Sequence, residues 1–264
     1  MIDRYEKLDD ADQWLFDMLK LSEPAGSFVM EDVDMIATEE IIAQLRQQGI
    51  KGTYTHIIVR ATALAFTRHP ELNRLILGRQ LVYPGSVDIG ISVSSDLSIA
   101  GNPTMILQNA DQKNLVQIAQ EIIKRVPEVR KEYYEHRARM RRAARVIPIG
   151  WVRRCFLRKM KSRMSIIREK TGTFHVTSIP HLRYGVPLMY PGSAALTIAR
   201  VEDRVVVRDS KPIVRPTVTL GIVADHRVWN GNTIAILLNE IKQILEDGEL
   251  AAELLRAEVS TPVH

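Results

Sequence analysis

The stretch VTLGIVADHRVWNGNTIAI, residues 218–236, joins two apolar segments through a short polar one. Apolar residues alternate up to Ala224, which predicts a buried strand, and helical spacing then predicts a helix from about Gly231 to Glu246. Three ionisable side chains lie at the corner between these elements: Asp225, His226 and Arg227. A strand and a helix together hold a corner residue in a fixed orientation, which a general base needs.

Spacing alone leaves two interpretations of this corner open. In the first, the corner is only a capped helix start, in which Asn230 is the N-cap and Asp225 pairs with Arg227. Gly231 then lets the chain turn into the helix. In the second, His226 is a general base, and Asn230, four residues later, is a second catalytic group.

The order of the other elements predicts a mixed α/β sandwich. Helical patterns cover residues 11–20, a segment from Thr38 to Gly49, and a buried run that ends before Pro70. Extended segments are predicted at 27–35, at 74–83 and at 87–100, the last as a half-buried strand. In the last third of the chain they are predicted at 172–179, 193–201, 204–213 and 217–224. These elements interleave without the regular repeat of a doubly wound parallel sheet.

Composition predicts an ordinary soluble globular chain. The 264 residues are 45% apolar and 25% charged, which suffices for one large core, so we expect a single domain over residues 1–264. The single cysteine fits a reducing compartment. The first 20 residues lack the apolar core of a secretory signal, and no stretch is long enough for a membrane span. We therefore expect a cytoplasmic protein.

Several kinds of chemistry lack their motifs in this chain. The sequence has no glycine-rich phosphate-binding loop and no G-x-S-x-G nucleophile motif. Its seven histidines show no metal-ligand spacing with carboxylates, so we expect no metal. The corner at residues 225–231 is therefore the most specific chemical signal.

Positive charge is concentrated between residues 130 and 170. This basic segment has fifteen Lys and Arg against three Glu, so the rest of the chain is mildly acidic. Its helical pattern, broken near Pro148, fits a helical hairpin. The segment either packs on its own domain, docks an acidic partner such as an acyl carrier protein or the phosphates of coenzyme A, or makes a peripheral membrane contact. We expect no nucleic-acid partner, because the segment has few aromatic residues for base stacking.

Four segments resemble the catalytic domain of dihydrolipoyl acyltransferases, which is similar to chloramphenicol acetyltransferase. ADHRVWNG, residues 224–231, resembles the family's D-H-R-x-x-D-G signature, and GTFHVTSI, 172–179, resembles its G-T-F-T-I-S-N-L strand. VDIGISV, 87–93, is similar to its V-x-I-G-x-A-V strand, and the helix ending in HPELN, 69–73, to its H-P-E-x-N helix. The four segments follow one another in the family's order.

The resemblance implies a fold, a reaction and roles for three residues. The fold would be a chloramphenicol acetyltransferase-like mixed-sheet sandwich, with the basic helical segment 130–170 as an extended insertion. His226 matches the general base that deprotonates an attacking thiol, Thr177 the hydroxyl that donates to the oxyanion, and Asn230 the aspartate that holds the catalytic loop. Asp225, Arg227 and Gly231 would shape the corner. The site would lie between subunits of a homotrimer, alone or in multiples.

The sequence departs from the family pattern in several respects. Asn230 stands where the family has aspartate, and the N-terminal residues 11–20 lack the family's arginine pattern for coenzyme A phosphates. No lipoyl domain, subunit-binding domain or Ala/Pro-rich linker is recognisable, so we expect no covalently attached lipoyl group in this chain. The residues that would bind the cofactor are not predicted.

These observations favour an acyltransferase. It would move an acyl group between a thioester carrier and a thiol, hydroxyl or amine acceptor, with the carrier being coenzyme A, an acyl carrier protein or a lipoyl domain. The alternative is a non-catalytic trimeric scaffold that binds an acidic partner through its basic segment.

Overall fold

A computed structural model describes residues 3–7, 26–77, 79–94, 103–146, 164, 168–169, 171–186 and 193–259. The helix predicted at 11–20 lies outside these residues, as does most of the second half of the predicted basic insertion. Among the described residues, no helix has the length and apolar character needed to cross a membrane.

Ten strands and five helices are defined within this part of the chain. The strands are β1 Arg4–Lys7, β2 Gly26–Asp34, β3 Leu75–Leu77, β4 Gln80–Tyr83, β5 Ile89–Ser92, β6 Thr104–Leu107, β7 Phe174–Ser178, β8 Ala194–Ile198, β9 Glu202–Arg208 and β10 Lys211–Asp225. The helices are α1 Ile36–Gln47, α2 Tyr54–Arg68, α3 Leu115–Val146, α4 Gly231–Glu246 and α5 Glu249–Val259, with short 3-10 turns at Pro70–Leu72 and Ala110–Gln112.

The main sheet is mixed, as the irregular order of elements predicts. Its strands follow the order β2-β10-β8-β7-β5-β6, and β9 pairs with the first half of β10. β5, β7 and β8 run parallel to one another, while β10 is antiparallel to β2, β8 and β9. β1, β4 and β3 form a separate three-stranded antiparallel sheet.

Helices cover one face of the main sheet and form the core with it. Phe174 of β7 packs edge-on against Phe66 of α2, with ring centroids 5.0 Å apart. The apolar stripe of α4 is buried through Ile234, Leu237, Leu238 and Ile241. The two-layer α/β sandwich is therefore confirmed, and α4 has the bounds that its periodicity predicts.

Three predicted strands differ from the structure. Within the half-buried strand expected at 87–100, residues 89–92 form β5, and residues 95–100 lie outside the described part of the chain. β5 is buried on both faces because the chain at Thr171 and the His175 ring lie against Gly90. The separate strands expected at 204–213 and 217–224 are a hairpin whose second strand continues unbroken as β10, despite Pro212 and Pro216. Both prolines face β9 in a peripheral two-stranded part of the sheet, where a missing N–H is tolerated.

The long helix α3 carries the first half of the basic segment. Its 32 residues, which include Pro127, correspond to a length of about 48 Å. Ile118 and Ile122 near its start are buried in the core, whereas Arg130 and Lys131 are exposed. The helix therefore begins in the core and continues into the basic segment.

Candidate active site

The corner after β10 is held by main-chain hydrogen bonds. The N–H groups of Val228 and Trp229 both donate to the Asp225 carbonyl oxygen at 2.9 Å, and the Asp225 N–H donates to Ser193 O at 2.8 Å. Trp229 is only 1% exposed, so its indole anchors the turn in the core. The turn at 226–229 is consequently fixed from both sides, as a site on rigid elements requires.

Asp225 and Arg227 form the ion pair that the helix-start interpretation predicts. The Arg227 Nε donates to Asp225 Oδ1 at 2.8 Å, and its Nη2 donates to Oδ2 at 2.5 Å. The main-chain N–H of Arg227 also donates to Oδ1, at 3.0 Å. Hydrogen bonding to Asp225 raises the pKa of Arg227 above its usual value. Both side chains therefore serve to shape the corner.

Asn230 is the N-cap of α4, as the same interpretation predicts. Its side chain accepts from the Thr233 N–H at 2.9 Å, and its own N–H donates to Thr233 Oγ1 at 3.1 Å, which completes a capping box. The residue is exposed. Its side-chain oxygen is thus committed to the helix start, in agreement with a loop-anchoring role.

The turning role predicted for Gly231 is wrong. Its φ is not positive, and a Cβ at this position would meet nothing within 4 Å in the chain. An alanine would fit the same backbone, because the turn is made by residues 226–229 and capped by Asn230. Gly231 instead leaves open space at the start of α4.

His226 is exposed at the corner, and one of its ring nitrogens is engaged. Nδ1 lies 2.8 Å from the Trp229 carbonyl oxygen. A carbonyl can only accept, so the neutral ring must carry its proton on Nδ1, and Nε2 keeps a lone pair. The corner therefore presents an exposed imidazole in the tautomer that can accept a proton.

Thr177 lies in β7, on the face of the sheet opposite the helices. Its neighbours Phe174 and Val176 belong to the core, whereas His175 and Thr177 point to the other face. Thr177 is 8% exposed, and no described residue hydrogen-bonds to its hydroxyl. This hydroxyl is thus available to donate to a bound group.

One chain does not bring His226 and Thr177 together. Thr177 is level with Thr197 in β8, which is level with Gly221 in β10. His226 follows Gly221 by five residues, so the two Cα atoms lie about 19 Å apart when strands rise 3.3 Å per residue and lie 4.8 Å apart. The predicted pair can therefore act together only across two chains.

Two polar residues beside Thr177 were not singled out in the sequence. His175 is 1% exposed, and its Nε2 lies 3.0 Å from the hydroxyl of Ser92 in β5. Burial lowers the pKa of His175 to about 4, although a hydrogen bond from the ring to the main-chain carbonyl of Thr171 opposes the shift. The sequence does contain a clue to these two residues, because both depart from the family motifs. The motifs have threonine at the position of His175 and alanine at that of Ser92.

A cleft of about 320 Å³ opens beyond the end of β7. It is lined at the start of α2 by Thr53 and Thr55, after β7 by Ser178, and after β8 by Arg200. Neither in this cleft nor in the rest of the described residues do three His, Cys, Asp or Glu side chains lie close enough together to hold a metal ion.

A family model matches most of the chain. The model describes the catalytic domain of the 2-oxoacid dehydrogenases acyltransferase, and it matches residues 15–138 and 156–253. The unmatched residues 139–155 lie within the predicted basic insertion, which remains a prediction.

Curated relatives carry similar sequences. The chain is 27% identical over 205 residues to the dihydrolipoyllysine-residue succinyltransferase component of the 2-oxoglutarate dehydrogenase complex of Cupriavidus necator, covering 76% of this chain and 41% of the relative. It is 25% identical over 228 residues to the dihydrolipoyllysine-residue acetyltransferase component of the pyruvate dehydrogenase complex of Bacillus subtilis, covering 84% and 45%. The chain thus spans less than half the length of these relatives.

Solved structures show the same fold. The cubic core of the pyruvate dehydrogenase multienzyme complex superposes with a TM-score of 0.65 at 20% identity, covering 94% of this chain and 93% of that one. The dihydrolipoamide acetyltransferase of Azotobacter vinelandii, studied for a serine, a histidine and an asparagine in its catalytic mechanism, gives 0.65 at 19% with the same coverage. A chloramphenicol acetyltransferase gives 0.56 at 12%, covering 92% and 100%. The predicted fold class is confirmed.

Proposed function

The chain belongs to the family of 2-oxoacid dehydrogenase acyltransferase catalytic domains, and we propose that it transfers an acyl group from a thioester carrier to a thiol, hydroxyl or amine. His226 is the general base and Thr177 the oxyanion donor. The observation that carries the proposal is the hydrogen bond between His226 Nδ1 and the Trp229 carbonyl, since it leaves Nε2 as the base.

The base removes the proton from the attacking group. A thiol with a pKa of about 8.5 is only a few per cent ionised at neutral pH, so a positioned base accelerates its attack by about 10²- to 10⁴-fold. When Nε2 takes this proton, the Trp229 carbonyl still accepts from Nδ1 and stabilises the imidazolium. The fixed turn keeps the ring in place throughout.

Thr177 stabilises the charge that forms on the acyl oxygen. The nucleophile adds to the thioester carbonyl carbon, the oxygen becomes an oxyanion, and its collapse breaks the carbon–sulfur bond and releases the carrier thiolate. A hydroxyl that no described residue engages can donate to this oxyanion. Such a donor supplies about 10²- to 10³-fold in rate. The imidazolium of His226 then returns its proton to the departing thiolate.

A homotrimer, or a multiple of trimers, provides the site. In one chain, His226 and Thr177 lie about 19 Å apart along the sheet, which is too far for both to touch one carbonyl group. In a cyclic trimer, the same contact repeats between each pair of neighbours and closes the ring. Each of three sites would combine His226 of one chain with Thr177 of the next.

Asn230 is compatible with activity in this proposal. In the A. vinelandii enzyme, the studied asparagine follows the studied histidine by four positions, the same spacing that separates Asn230 from His226. The capping box shows what an asparagine does at this position, because its side chain fixes the start of α4 directly after the catalytic turn. A carboxylate is not required for that contact.

The acyl carrier is coenzyme A, an acyl carrier protein or a lipoyl domain of another chain. A phosphate-bearing carrier would use the cleft beyond β7, where the N-terminal N–H groups of α2 favour negative charge and Arg200 pairs with Glu202. An acidic carrier protein would be attracted by the exposed Arg130 and Lys131, where the basic segment begins. We expect the reaction to be cytoplasmic.

Subunit mixing tests the base, the oxyanion donor and the shared site together. His226→Ala and Thr177→Val should each consume acyl thioesters at least about a hundredfold more slowly than wild type. When they are unfolded, mixed in equal amounts and refolded, about a quarter of the sites in random trimers should hold both intact residues. Activity should therefore return to about a quarter of the wild-type level.

Matched variants control for structural effects of the substitutions. Thr177→Ser keeps the hydroxyl and should retain turnover, and Thr197→Val removes the neighbouring hydroxyl of β8 without touching the proposed donor. Wild-type turnover in His226→Ala, or no turnover by wild type with coenzyme A, carrier-protein and lipoyl donors, would instead favour the non-catalytic scaffold. Inactive mixtures of two individually folded variants would contradict the shared site.

A further inference from the structure

The row of polar residues beside Thr177 contains a contact that the proposed reaction does not use. Gly90 pairs with His175 and Ile91 with Val176 across the parallel strands β5 and β7. The next pair in this register is Ser92 with Thr177, with side chains on the same face and Cβ atoms about 5 Å apart. Ser92 is therefore the nearest cross-strand neighbour of the proposed oxyanion donor.

The direction of the hydrogen bond between Ser92 and His175 can be assigned. The Nδ1 edge of His175 faces the Thr171 carbonyl, because a Cβ at Gly90 would come within 2.6 Å of His175 Nδ1 and 2.5 Å of Thr171 O. A main-chain hydrogen bond with Thr171 favours the protonated ring. Since the main-chain N–H would disfavour that form, the group involved is the carbonyl, which accepts from the ring. Nδ1 of the neutral ring thus carries the proton, and Nε2 accepts the Ser92 hydroxyl at 3.0 Å.

This assignment fixes the chemical character of Ser92. A hydroxyl that donates its proton still has two lone pairs, and these make it an acceptor toward other groups. His175 is buried, and its ring stays neutral throughout the physiological pH range. The Ser92 oxygen therefore presents a constant, neutral acceptor next to the Thr177 hydroxyl, which is a donor.

A donor and an acceptor on side chains whose Cβ atoms lie about 5 Å apart match a hydroxyacyl group. The acyl oxygen accepts from Thr177, and a hydroxyl on the second or third carbon of the same chain lies about 3 Å from that oxygen, within reach of Ser92. From this geometry, we infer that Ser92, oriented by His175, selects acyl groups that carry a hydroxyl or amine donor close to the reacting carbonyl. This inference rests on the proposed role of Thr177.

Donor selectivity can be measured in turnover and in binding. Wild type should prefer 3-hydroxybutanoyl-coenzyme A over butanoyl-coenzyme A by about tenfold in kcat/KM. Ser92→Ala should lose this preference because its kcat/KM falls for 3-hydroxybutanoyl-coenzyme A and stays unchanged for butanoyl-coenzyme A. His175→Thr should lose it as well, because Ser92 is then no longer oriented. Ser94→Ala is the matched control, since its hydroxyl contacts Arg130 instead of His175.

Binding separates this inference from the proposed reaction. Ketone analogues, in which a methylene separates the carbonyl from sulfur, cannot react, and calorimetry gives their Kd. Wild type that prefers the hydroxylated ketone but turns over no thioester supports the selectivity and contradicts the acyltransferase proposal. Turnover without any preference, or an equal loss with both acyl groups in Ser92→Ala, overturns the inference. Failure of both ketones to bind wild type overturns it too.

Discussion

Two histidines in this chain are held in the same way in opposite surroundings. His226 lies exposed at the corner after β10, and its Nδ1 contacts the Trp229 carbonyl. His175 lies buried in β7, and its Nδ1 edge faces the Thr171 carbonyl. Both rings thus have the same tautomer and direct Nε2 toward the proposed chemistry.

The difference between them is solvent. An exposed imidazole can accept a proton because water and the carbonyl stabilise the cation, whereas burial disfavours the cation of His175. His226 can therefore act as a base, while His175 can only remain an acceptor. A main-chain carbonyl beside Nδ1 accompanies two different roles, because burial decides which protonation states each ring can reach.

Turnover should separate the two histidines most strongly. His226→Ala removes the base, so acetyl-coenzyme A consumption should fall by about 10²- to 10⁴-fold, while the free energy of unfolding changes by no more than about 1 kcal/mol. His175→Thr should retain most turnover of this unhydroxylated donor. Steady-state kinetics and urea unfolding provide the two quantities. Equal losses of turnover in the two variants would abolish the distinction between base and acceptor.

The dependence of stability on pH should be affected more by His175 than by His226. The folded pKa of His175, about 4, lies below its ordinary value of 6.5, so the unfolded chain binds the proton first as the pH falls. The neutral, buried ring of His175 therefore contributes fully to the free energy of unfolding above pH 6.5. This contribution, at most about 3 kcal/mol, is lost as the pH falls from 6.5 to about 4. His175→Thr should flatten this dependence, measured as unfolding free energy at successive pH values.

The variant His226→Ala serves as the control, because it removes a histidine and leaves the buried ring of His175 in place. His56 must stay in place throughout, since burial lowers its pKa to about 4 as well and adds a slope of the same sign. A His175→Thr protein as acid-sensitive as wild type would show that burial does not distinguish the two rings.

The cap next to His226 should contribute a smaller effect. Asn230→Ala removes the side-chain acceptor of the Thr233 N–H and should cost about 1 kcal/mol in urea unfolding. Asn230→Asp keeps an acceptor and should remain within a few tenths of a kcal/mol of wild type. If both variants lose the same stability, the capping box does not hold the corner.

Gly231→Ala should have the smallest effect, and it is stabilising. Alanine has the higher helix propensity, and a Cβ here meets nothing within 4 Å, so the isolated chain should gain a few tenths of a kcal/mol. Thermal unfolding checks the sign. A gain in Tm together with reduced turnover would show that the space at Gly231 is used by a substrate or a neighbouring chain. A lower Tm in Gly231→Ala would contradict the open space found at this position.

Local patterns predicted the elements whose periodicity is strong. The bounds of α4 follow from its apolar stripe, and the corner follows from the change of period between β10 and α4. The continuity of β10 was not predicted, because prolines normally end strands and their tolerance depends on which neighbour they face. The two-sided burial of β5 likewise depends on segments distant in sequence.

The candidate site was predictable only in part for the same reason. His226 and Thr177 come from short motifs, whereas Ser92 and His175 are 83 residues apart and meet only through the register of β5 and β7. Their hydrogen bond has no local sequence signal. The separation of His226 from Thr177 within one chain also required the strand order.

The long strand β10 has a consequence for local opening. Its residues 220–224 pair with β2 on one side and β8 on the other, so their amides and carbonyls lie inside the sheet, away from any edge. Amides of this kind exchange with solvent deuterium only through large openings. His226 follows directly after this segment, so its support should be among the slowest-exchanging parts of the chain. The exposed base is therefore carried by one of the parts of the chain that are least prone to local opening.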